Sequence, residues 1–304
     1  MLRITLIKAS ESRWLHDRVA AFPPTRRVVD KFVAGEGLDD GLAAVRALAR
    51  QSLTGTLDYL GEAVTTPAEA EAAAEVYVEA LSRIGALGLD CGVSVKPTQM
   101  GLGLDDGTCA ELFGRIAKAA GDAGVHLTID MEDSSTTEAT VCLVERLVSD
   151  GHVHAGCALQ AYLHRSADDL RLLSEAGASL RWCKGAYAEP ADIAWQSRTE
   201  VSAAYARGAK ILFDHGHHPR FATHDDALID RIVRYARHNA VPADAFEFQM
   251  LYGVRPSLQQ ALVADGWRVR VYVPFGEQWY PYFMRRLAER PANVVFFLRA
   301  LRDT

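Results

Sequence analysis

The feature of this sequence that most limits its fold is a regular alternation of short apolar segments with longer amphipathic ones, beginning at Thr54. Each short segment is too short for a helix and is bounded by Gly, Pro or polar residues, so it is predicted to be a strand. The eight predicted strands are Thr54–Leu60, Cys91–Lys96, His126–Asp130, Gly156–Tyr162, Ser179–Lys184, Arg220–His224, Phe246–Leu251 and Arg268–Val273. Because they are apolar on both faces, they indicate a parallel sheet covered by helices.

The number of predicted strands favours a closed barrel. Parallel strands that are each followed by a helix form a (βα)8 barrel of the TIM type, an α/β fold that occupies about 250 residues. An open, doubly wound sheet remains the alternative, because the number of strands does not exclude it. We therefore predict an N-terminal helical segment over residues 1–53 and a single barrel catalytic domain over residues 54–304.

The predicted helices between the strands carry start signals. A capping-box pattern begins at Thr66, with proline at the first helical position, and a second one begins at Ser135. Thr223 or Asp225 can cap the helix that follows the sixth strand.

Composition excludes several classes of protein without identifying one. The 304 residues include 33 Lys and Arg against 39 Asp and Glu, a formal net charge of −6. This balance argues against nucleic acid as a partner, because nucleic-acid-binding surfaces carry an excess of positive charge. The five cysteines include no CxxC pair, which favours neither a disulfide framework nor a zinc site, so a cytoplasmic location is expected. No apolar stretch has the length of a transmembrane helix.

Polar side chains collect at the predicted carboxyl ends of the strands, where barrel enzymes build their active sites. A few acids accompany a larger set of cations, which favours an anionic ligand such as a carboxylate, a phosphorylated cofactor or both. The cations are Lys96, Arg181, Lys184, Arg285 and Arg286. Arg181 and Lys184 differ in strand parity, so one is expected to point into the barrel and the other toward the helices.

The last two arginines of that set constrain the final helix. Arg285 and Arg286 are adjacent, so they project about 100° apart around a helix. Both can reach one carboxylate only if that helix lies obliquely across the mouth of the barrel. Otherwise one arginine binds the ligand and the other forms a surface ion pair.

Two other functions remain open from the residues alone. Lys96 and Lys184 both stand near strand ends, and a desolvated lysine can form a Schiff base, as in barrel aldolases. The second alternative is a barrel without catalytic activity that binds a small anion or a partner. No metal site is predicted, because His215, His217 and His218 precede the sixth strand and therefore lie at the opposite end of the barrel.

Seven strings at the strand ends occur in a distinctive order. They are Val95–Thr98, Ile129–Glu132, Gln160–Tyr162, Arg181 with Lys184–Tyr187, Ala222–His224, Phe246–Gln249 and Tyr282–Leu287. In order and spacing, together covering residues 54–303, they resemble the proline dehydrogenase family, and the chain length is similar to that of its monofunctional bacterial members. One departure is Ala188, where the family often has an aromatic residue.

The resemblance implies a (βα)8 barrel that binds FAD non-covalently and catalyses the first step of proline catabolism. L-Proline would be oxidised to Δ1-pyrroline-5-carboxylate, and electrons would pass from the reduced flavin to a membrane quinone. Such an acceptor implies a peripheral contact between a cytoplasmic protein and the inner face of the membrane.

The same resemblance assigns roles to residues at the strand ends. Asp130 and Arg181 would be catalytic, Asp130 by orienting the cationic groups and Arg181 by approaching the flavin near its reactive nitrogen. Glu62 would act as a gate that pairs with the second arginine of the adjacent pair. The residues expected to bind proline are Lys96, Tyr187, Tyr272, Tyr282, Arg285 and Arg286. The residues expected to contact FAD, in addition to Arg181, are Met131, Gln160, Lys184, Gly185, Ala186, Thr223 and His224.

Overall fold

Eight parallel strands close into a barrel in the computed structural model, which describes residues 29–62 and 64–289, with side chains up to Met284. Each strand pairs with the next along the chain, and the last pairs with the first from Thr54↔Arg270 to Tyr59↔Phe275. The strands are β1 Thr54–Tyr59, β2 Cys91–Val95, β3 Leu127–Ile129, β4 Ala155–Gln160, β5 Ser179–Cys183, β6 Arg220–Ala222, β7 Glu247–Leu251 and β8 Val269–Phe275. The closed barrel is thus confirmed over the open sheet.

Helices connect the strands on the outside of the barrel, as expected for parallel strands that need crossover connections. In the described part of the chain they are α1 Leu38–Ala49, α2 Pro67–Ala86, α3 Asp106–Ala123, α4 Ser134–Ser149, α5 Ser166–Glu175, α6 Arg198–His215, α7 Asp226–His238, α8 Pro256–Ala264 and α9 Trp279–Glu289. A 3₁₀ turn, Pro97–Met100, follows β2 directly.

Helix starts agree with the sequence in two of three places. Thr66 and Asp225 cap α2 and α7, each by accepting a backbone N–H near the start of its helix. The capping box predicted at Ser135 is wrong, because α4 begins at Ser134 and its N-cap is Asp133, two residues before the predicted one. The Asp133 side chain accepts the backbone N–H of Ser135, so a carboxylate takes the role expected of the hydroxyl.

Side chains alternate between the barrel interior and the helix layer, as the period of a strand requires. In β1, Asp58 faces inward to Lys96, while Leu57 faces outward toward α1. In β5, Arg181 faces inward and Trp182 faces outward, where its indole N–H donates to the Tyr205 carbonyl of α6 at 2.8 Å. The outward set is apolar and forms the main core, whereas the inward set is largely polar.

Two helices lie in places that strand order alone does not dictate. A Cβ atom on Gly41 of α1 would lie within 3.3 Å of both Leu57 and Phe275, so α1 fills the outer groove between β1 and β8. Helix α9 instead packs with Leu60, which follows β1, in a separate apolar cluster with Val33. Helix α9 therefore packs beside the residues that follow β1, at the carboxyl end of the barrel. The division at residue 53 stays a prediction, and most of the predicted N-terminal segment lies outside the described residues.

Candidate active site

A buried polar core occupies the carboxyl half of the barrel interior, with Asp130 at its centre. Asp130 follows β3, and its Oδ1 accepts hydrogen bonds from Arg181 Nη1 at 2.7 Å and from Ser94 Oγ at 2.6 Å. Its Oδ2 accepts from the Tyr272 hydroxyl at 2.8 Å and lies 3.6 Å from Lys96 Nζ. Burial would raise the pKa of this carboxyl, but Arg181 and Lys96 outweigh burial and lower it. Asp130 is thus an ionised hub that orients two cations.

Lys96 lies between carboxylates at the end of β2. Its Nζ is 2.7 Å from Asp58 Oδ1, 3.4 Å from the Tyr272 hydroxyl and 4.0 Å from Glu62 Oε1. Burial would lower the pKa of Lys96, but Asp58, Tyr272 and Asp130 together raise it well above its ordinary value. The ammonium is therefore held in its charged form, deep in the mouth of the barrel.

The protein binds two of the three guanidinium nitrogens of Arg181. Its Nε donates to Gln249 Oε1 at 2.6 Å, and its Nη1 donates to Ser94 and Asp130. Its Nη2 is buried and has no hydrogen-bond partner among the residues that the structure describes. The guanidinium carbon also lies 5.2 Å from the centre of the Tyr272 ring. A buried donor without a partner is costly, so this group is suited to a ligand.

The ends of β5 and β6 carry a second, more exposed set of polar groups. Lys184 faces away from the core, as its parity predicted, and its Nζ pairs with Asp225 at 2.6 Å. Thr223 Oγ1 accepts the backbone N–H of Asp225. The Nε2 atom of His224 accepts the backbone N–H of Leu251 at 3.0 Å, which leaves Nδ1 to carry the proton of the neutral ring.

The loop after β5 is fastened to the end of β4 by Gln160. The amide oxygen of Gln160 accepts the Ala186 N–H at 3.2 Å, and its nitrogen donates to the Glu132 carbonyl at 2.7 Å. Gly185 has a φ of +114°, and a Cβ atom there would lie 2.1 Å from the Tyr162 ring. Gly185 is therefore required both by its conformation and by the close approach of the ring.

The remaining predicted site residues lie around this core or outside the described side chains. Met131 is buried beside the hub, and Tyr187 is exposed on the loop after β5. Tyr282 is buried in α9. Arg285 and Arg286 belong to α9, but their side chains lie outside the described part of the structure.

The charge balance of the core differs from the sequence expectation of an excess of cations. Lys96 and Arg181 are matched by Asp58 and Asp130, and Glu62 adds a further carboxylate at the edge. Net attraction for an anion must therefore come from outside this core.

Sequence reasoning assigned no role in the site to Asp58, Ser94 or Gln249. All three are buried and bond directly to Lys96, Asp130 or Arg181. The available signal was parity, because each stands two positions from another inward polar residue in a strand that is otherwise apolar.

The described residues hold neither a cluster of metal-binding side chains nor a membrane-spanning helix. They contain no group of three or more His, Cys, Asp and Glu side chains arranged to hold a metal ion. The helices in those same ranges include none that is both long and apolar enough to cross a membrane.

The fold and the site define a (βα)8-barrel enzyme whose reactive groups stand at the carboxyl ends of the strands. A family model described as proline dehydrogenase matches residues 41–299. The chain is 38% identical over 283 residues to a proline dehydrogenase of Deinococcus radiodurans, covering 90% of each chain. It is 36% identical over 301 residues to proline dehydrogenase 1 of Bacillus subtilis, covering 99% of each. The chain therefore belongs to the proline dehydrogenase family, a family of oxidoreductases.

A solved structure agrees with this assignment. Proline utilization A from Bdellovibrio bacteriovorus, inactivated by N-propargylglycine, superposes with a TM-score of 0.80 at 25% identity. The match covers 86% of this chain but 32% of that protein, so this chain spans about a third of its length. The chain has the size of a monofunctional family member.

Proposed function

We propose that this chain oxidises L-proline to Δ1-pyrroline-5-carboxylate with non-covalently bound FAD, and that a membrane quinone receives the electrons. The observation that carries the proposal is Arg181, a buried guanidinium that three protein groups orient while its Nη2 lacks a partner in the described structure. Membership of the proline dehydrogenase family supports the substrate.

The described residues fit a flavin. An oriented cation beside the reactive ring would stabilise negative charge on it, and the spare Nη2 donor gives Arg181 the means. When bound, FAD would accept the hydride that leaves the proline ring carbon. The residues that would hold it with Arg181 are Met131, Gln160, Lys184, Gly185, Ala186, Thr223 and His224.

The proline carboxylate would bind to arginines of α9. The family resemblance gives this role to Arg285 and Arg286, and the described core, with at least as many carboxylates as cations, is consistent with a carboxylate anchor outside it. Arginine forks bind carboxylates with charge-assisted hydrogen bonds worth roughly 1.5–3 kcal/mol. Glu62, already 4.0 Å from Lys96 Nζ, would close the site by pairing with the second arginine.

The buried core would orient the substrate and exclude water. Lys96 would bind the proline carboxylate, while Asp58 and Asp130 hold the Lys96 ammonium in place. Tyr272, fixed by its bond to Asp130, would form the floor of the proline pocket, and Tyr187 and Tyr282 would line it. Holding the ring carbon in a reactive position accounts for much of the rate acceleration in such enzymes.

The acceptor and location are proposed on the family resemblance. A quinone lies in a membrane, so we propose that the protein works in the cytoplasm with a peripheral contact at the inner face of the membrane.

A Schiff-base aldolase is the alternative, and the state of Lys96 argues against it. A lysine that forms a Schiff base must lose its proton, which a lowered pKa allows. The surrounding carboxylates instead raise the pKa of Lys96 well above its ordinary value. Lys184, the other candidate lysine, donates a hydrogen bond to Asp225 at 2.6 Å, and a neighbouring carboxylate also favours the charged ammonium over the neutral amine that a Schiff base needs.

The decisive experiment is an absorption spectrum of the purified protein before and after adding proline without oxygen. We expect a flavin band that proline bleaches. Arg181→Met should keep FAD bound but lower its reduction potential, because the oriented cation is lost. A colourless protein that takes up no FAD, or borohydride trapping of a carbonyl substrate on a lysine, would contradict the proposal.

A further inference from the structure

A continuous chain of buried polar groups runs through the barrel from the active-site core to its opposite end. Arg181 Nε donates to Gln249 Oε1 at 2.6 Å, and Gln249 Nε2 donates to Glu247 Oε1 at 2.6 Å. Glu247, the first residue of β7, accepts from Arg270 Nε at 2.8 Å. Arg270 reaches Asp90 near the surface, also at 2.8 Å. The proposed chemistry assigns no role to any of the groups below Arg181.

The orientation of the Gln249 amide depends on Glu247. An amide can present either its oxygen or its nitrogen to a neighbour, and only the oxygen can accept the Nε hydrogen of Arg181. An ionised carboxylate accepts hydrogen bonds but cannot donate them, so Glu247 binds only the nitrogen of Gln249. The oxygen is thereby turned toward Arg181, which gives the arrangement found here.

The lower end of the barrel keeps Glu247 ionised. Glu247 is buried, which by itself would raise its pKa, yet Arg270 and Arg220 lower the pKa well below the usual value. His218 Nε2 lies 3.8 Å from Oε2 on the other side. Arginines therefore face Glu247 from β6 and β8, and a histidine faces it from the turn before β6; the net effect favours the carboxylate.

We propose that Glu247 and Gln249 are positioning residues for Arg181, which together hold its guanidinium so that Nη2 faces the bound cofactor. The inference rests on the proposed flavin function. Neither residue touches the reacting atoms. Without Gln249 the guanidinium would keep its bonds to Asp130 and Ser94 but could rotate about them, since Nε would no longer be fixed. The Arg181 charge would remain while its direction toward the flavin is lost.

The first test observes the Arg181 side chain directly by nuclear magnetic resonance, independently of catalytic activity. In protein labelled with ¹⁵N-arginine, the Nε–Hε signal of Arg181 is identified by its disappearance in Arg181→Met. We expect slow hydrogen exchange of this signal in the unaltered chain and exchange at least tenfold faster in Gln249→Leu. Glu247→Gln, which keeps the shape of the side chain but can donate, should give two signals or a shifted one, because the amide of Gln249 can then adopt either orientation.

The second test is a double-mutant cycle between Gln249→Leu and Arg181→Met, read as flavin reduction potential and as the rate of flavin reduction by proline. We expect Gln249→Leu alone to lower the potential and to slow reduction about tenfold, with little change in the proline Kd. In the Arg181→Met background the same change should have no further effect, because groups that act through one partner are not additive. A purely structural role predicts additive effects.

The matched control is Gln259→Leu, since Gln259 is also a buried glutamine but binds the carbonyls of Leu251 and Val254 in β7 and the turn after it. It should lose stability without moving the potential or the Arg181 signal. Additive effects in the cycle, or an unchanged Arg181 signal in Gln249→Leu, would overturn the inference. If proline fails to bleach the unaltered protein, the proposed function fails instead, while the exchange measurement still decides the positioning of Arg181.

Discussion

At the scale of single residues, strand parity decides which polar groups reach the site. Asp58 lies within β1 and Gln249 within β7, and each points inward because it has the strand parity of the other inward-facing residues. Their neighbours Leu57 and Phe248 have the other parity and belong to the apolar core. The predicted set of site residues contained Lys96 and Asp130, but not Asp58, the carboxylate that lies nearest to the Lys96 ammonium.

Replacing Asp58 should lower the pKa of Lys96. Asp58 Oδ1 is 2.7 Å from Lys96 Nζ, and its negative charge opposes the lowering of the lysine pKa by burial. In Asp58→Asn the pKa of Lys96 should fall, so the alkaline limb of kcat/KM for proline should move to lower pH.

The measurement is a pH profile of kcat/KM, and Asp39→Asn is its control. Asp39 also pairs with a cation, Arg83, but its side chain is 84% exposed and such surface pairs contribute little. An alkaline limb that stays in place in Asp58→Asn would show that Lys96 does not control it.

At the scale of elements, local signals place the helix starts, and contacts with distant residues adjust them. The capping box at Thr66 is closed within its own helix, with Glu69 accepting the Thr66 N–H. At α4 the start is set partly from far along the chain, because Glu189 accepts both the N–H and the hydroxyl of Ser134. A pattern confined to neighbouring residues does not contain the second kind of cap.

The loop after β5 should depend on the lack of a side chain at Gly185. Gly185→Ala adds a methyl group 2.1 Å from the Tyr162 ring, in a backbone conformation with φ of +114°. Gly177→Ala is the control, because Gly177 has φ of +90° but no neighbouring atom within 4 Å of the position that an added methyl group would take.

Urea denaturation of the two variants then separates the cost of backbone strain at positive φ from the cost of the steric clash with Tyr162. Gly177→Ala should lower the free energy of unfolding by about 1 kcal/mol, the cost of a non-glycine residue at positive φ. Gly185→Ala should cost roughly 1–3 kcal/mol more through overpacking, and should weaken FAD binding. Equal losses in the two variants would show that Tyr162 moves aside without cost.

At the scale of the whole molecule, charged side chains are found in the barrel interior as well as at the surface. The chain carries a net charge of −6, yet the barrel interior holds a ladder of buried arginines and carboxylates from Asp130 down to Arg270. Such pairs stabilise the fold only while their carboxylates are ionised, since protonation leaves buried cations without partners. The stability of the barrel should therefore depend on pH.

Stability should fall in acid through Glu247. Its pKa in the folded protein lies well below the ordinary value of 4.5, so its contribution is complete above about pH 4.5 and is lost as the pH falls toward the folded value. In that window each pH unit changes the free energy of unfolding by about 1.4 kcal/mol per extra proton bound by the unfolded chain.

The check is urea denaturation at pH 6 and at pH 3.5. Glu247→Gln should be less stable than the unaltered protein at pH 6, and the gap should narrow at pH 3.5 because the variant has no carboxyl group to titrate there. A gap of constant size would show that Glu247 does not titrate between those values.

The sequence by itself determined the eight strand–helix units and the family, because both depend on signals that are local along the chain, whereas the strand pattern left a closed barrel and an open sheet both possible. Apolar segments of strand length and helix caps are properties of neighbouring residues. The strand-end strings from Val95 to Leu287 can likewise be recognised from their order in the sequence, before the fold is known. Only the tertiary structure decided that Asp58 and Lys96, 38 positions apart, form an ion pair. The same is true of the hydrogen bond that Gln249 accepts from Arg181, 68 positions away. Closing the barrel brings the inward faces of all eight strands together, and no pattern within one strand specifies which of them will meet.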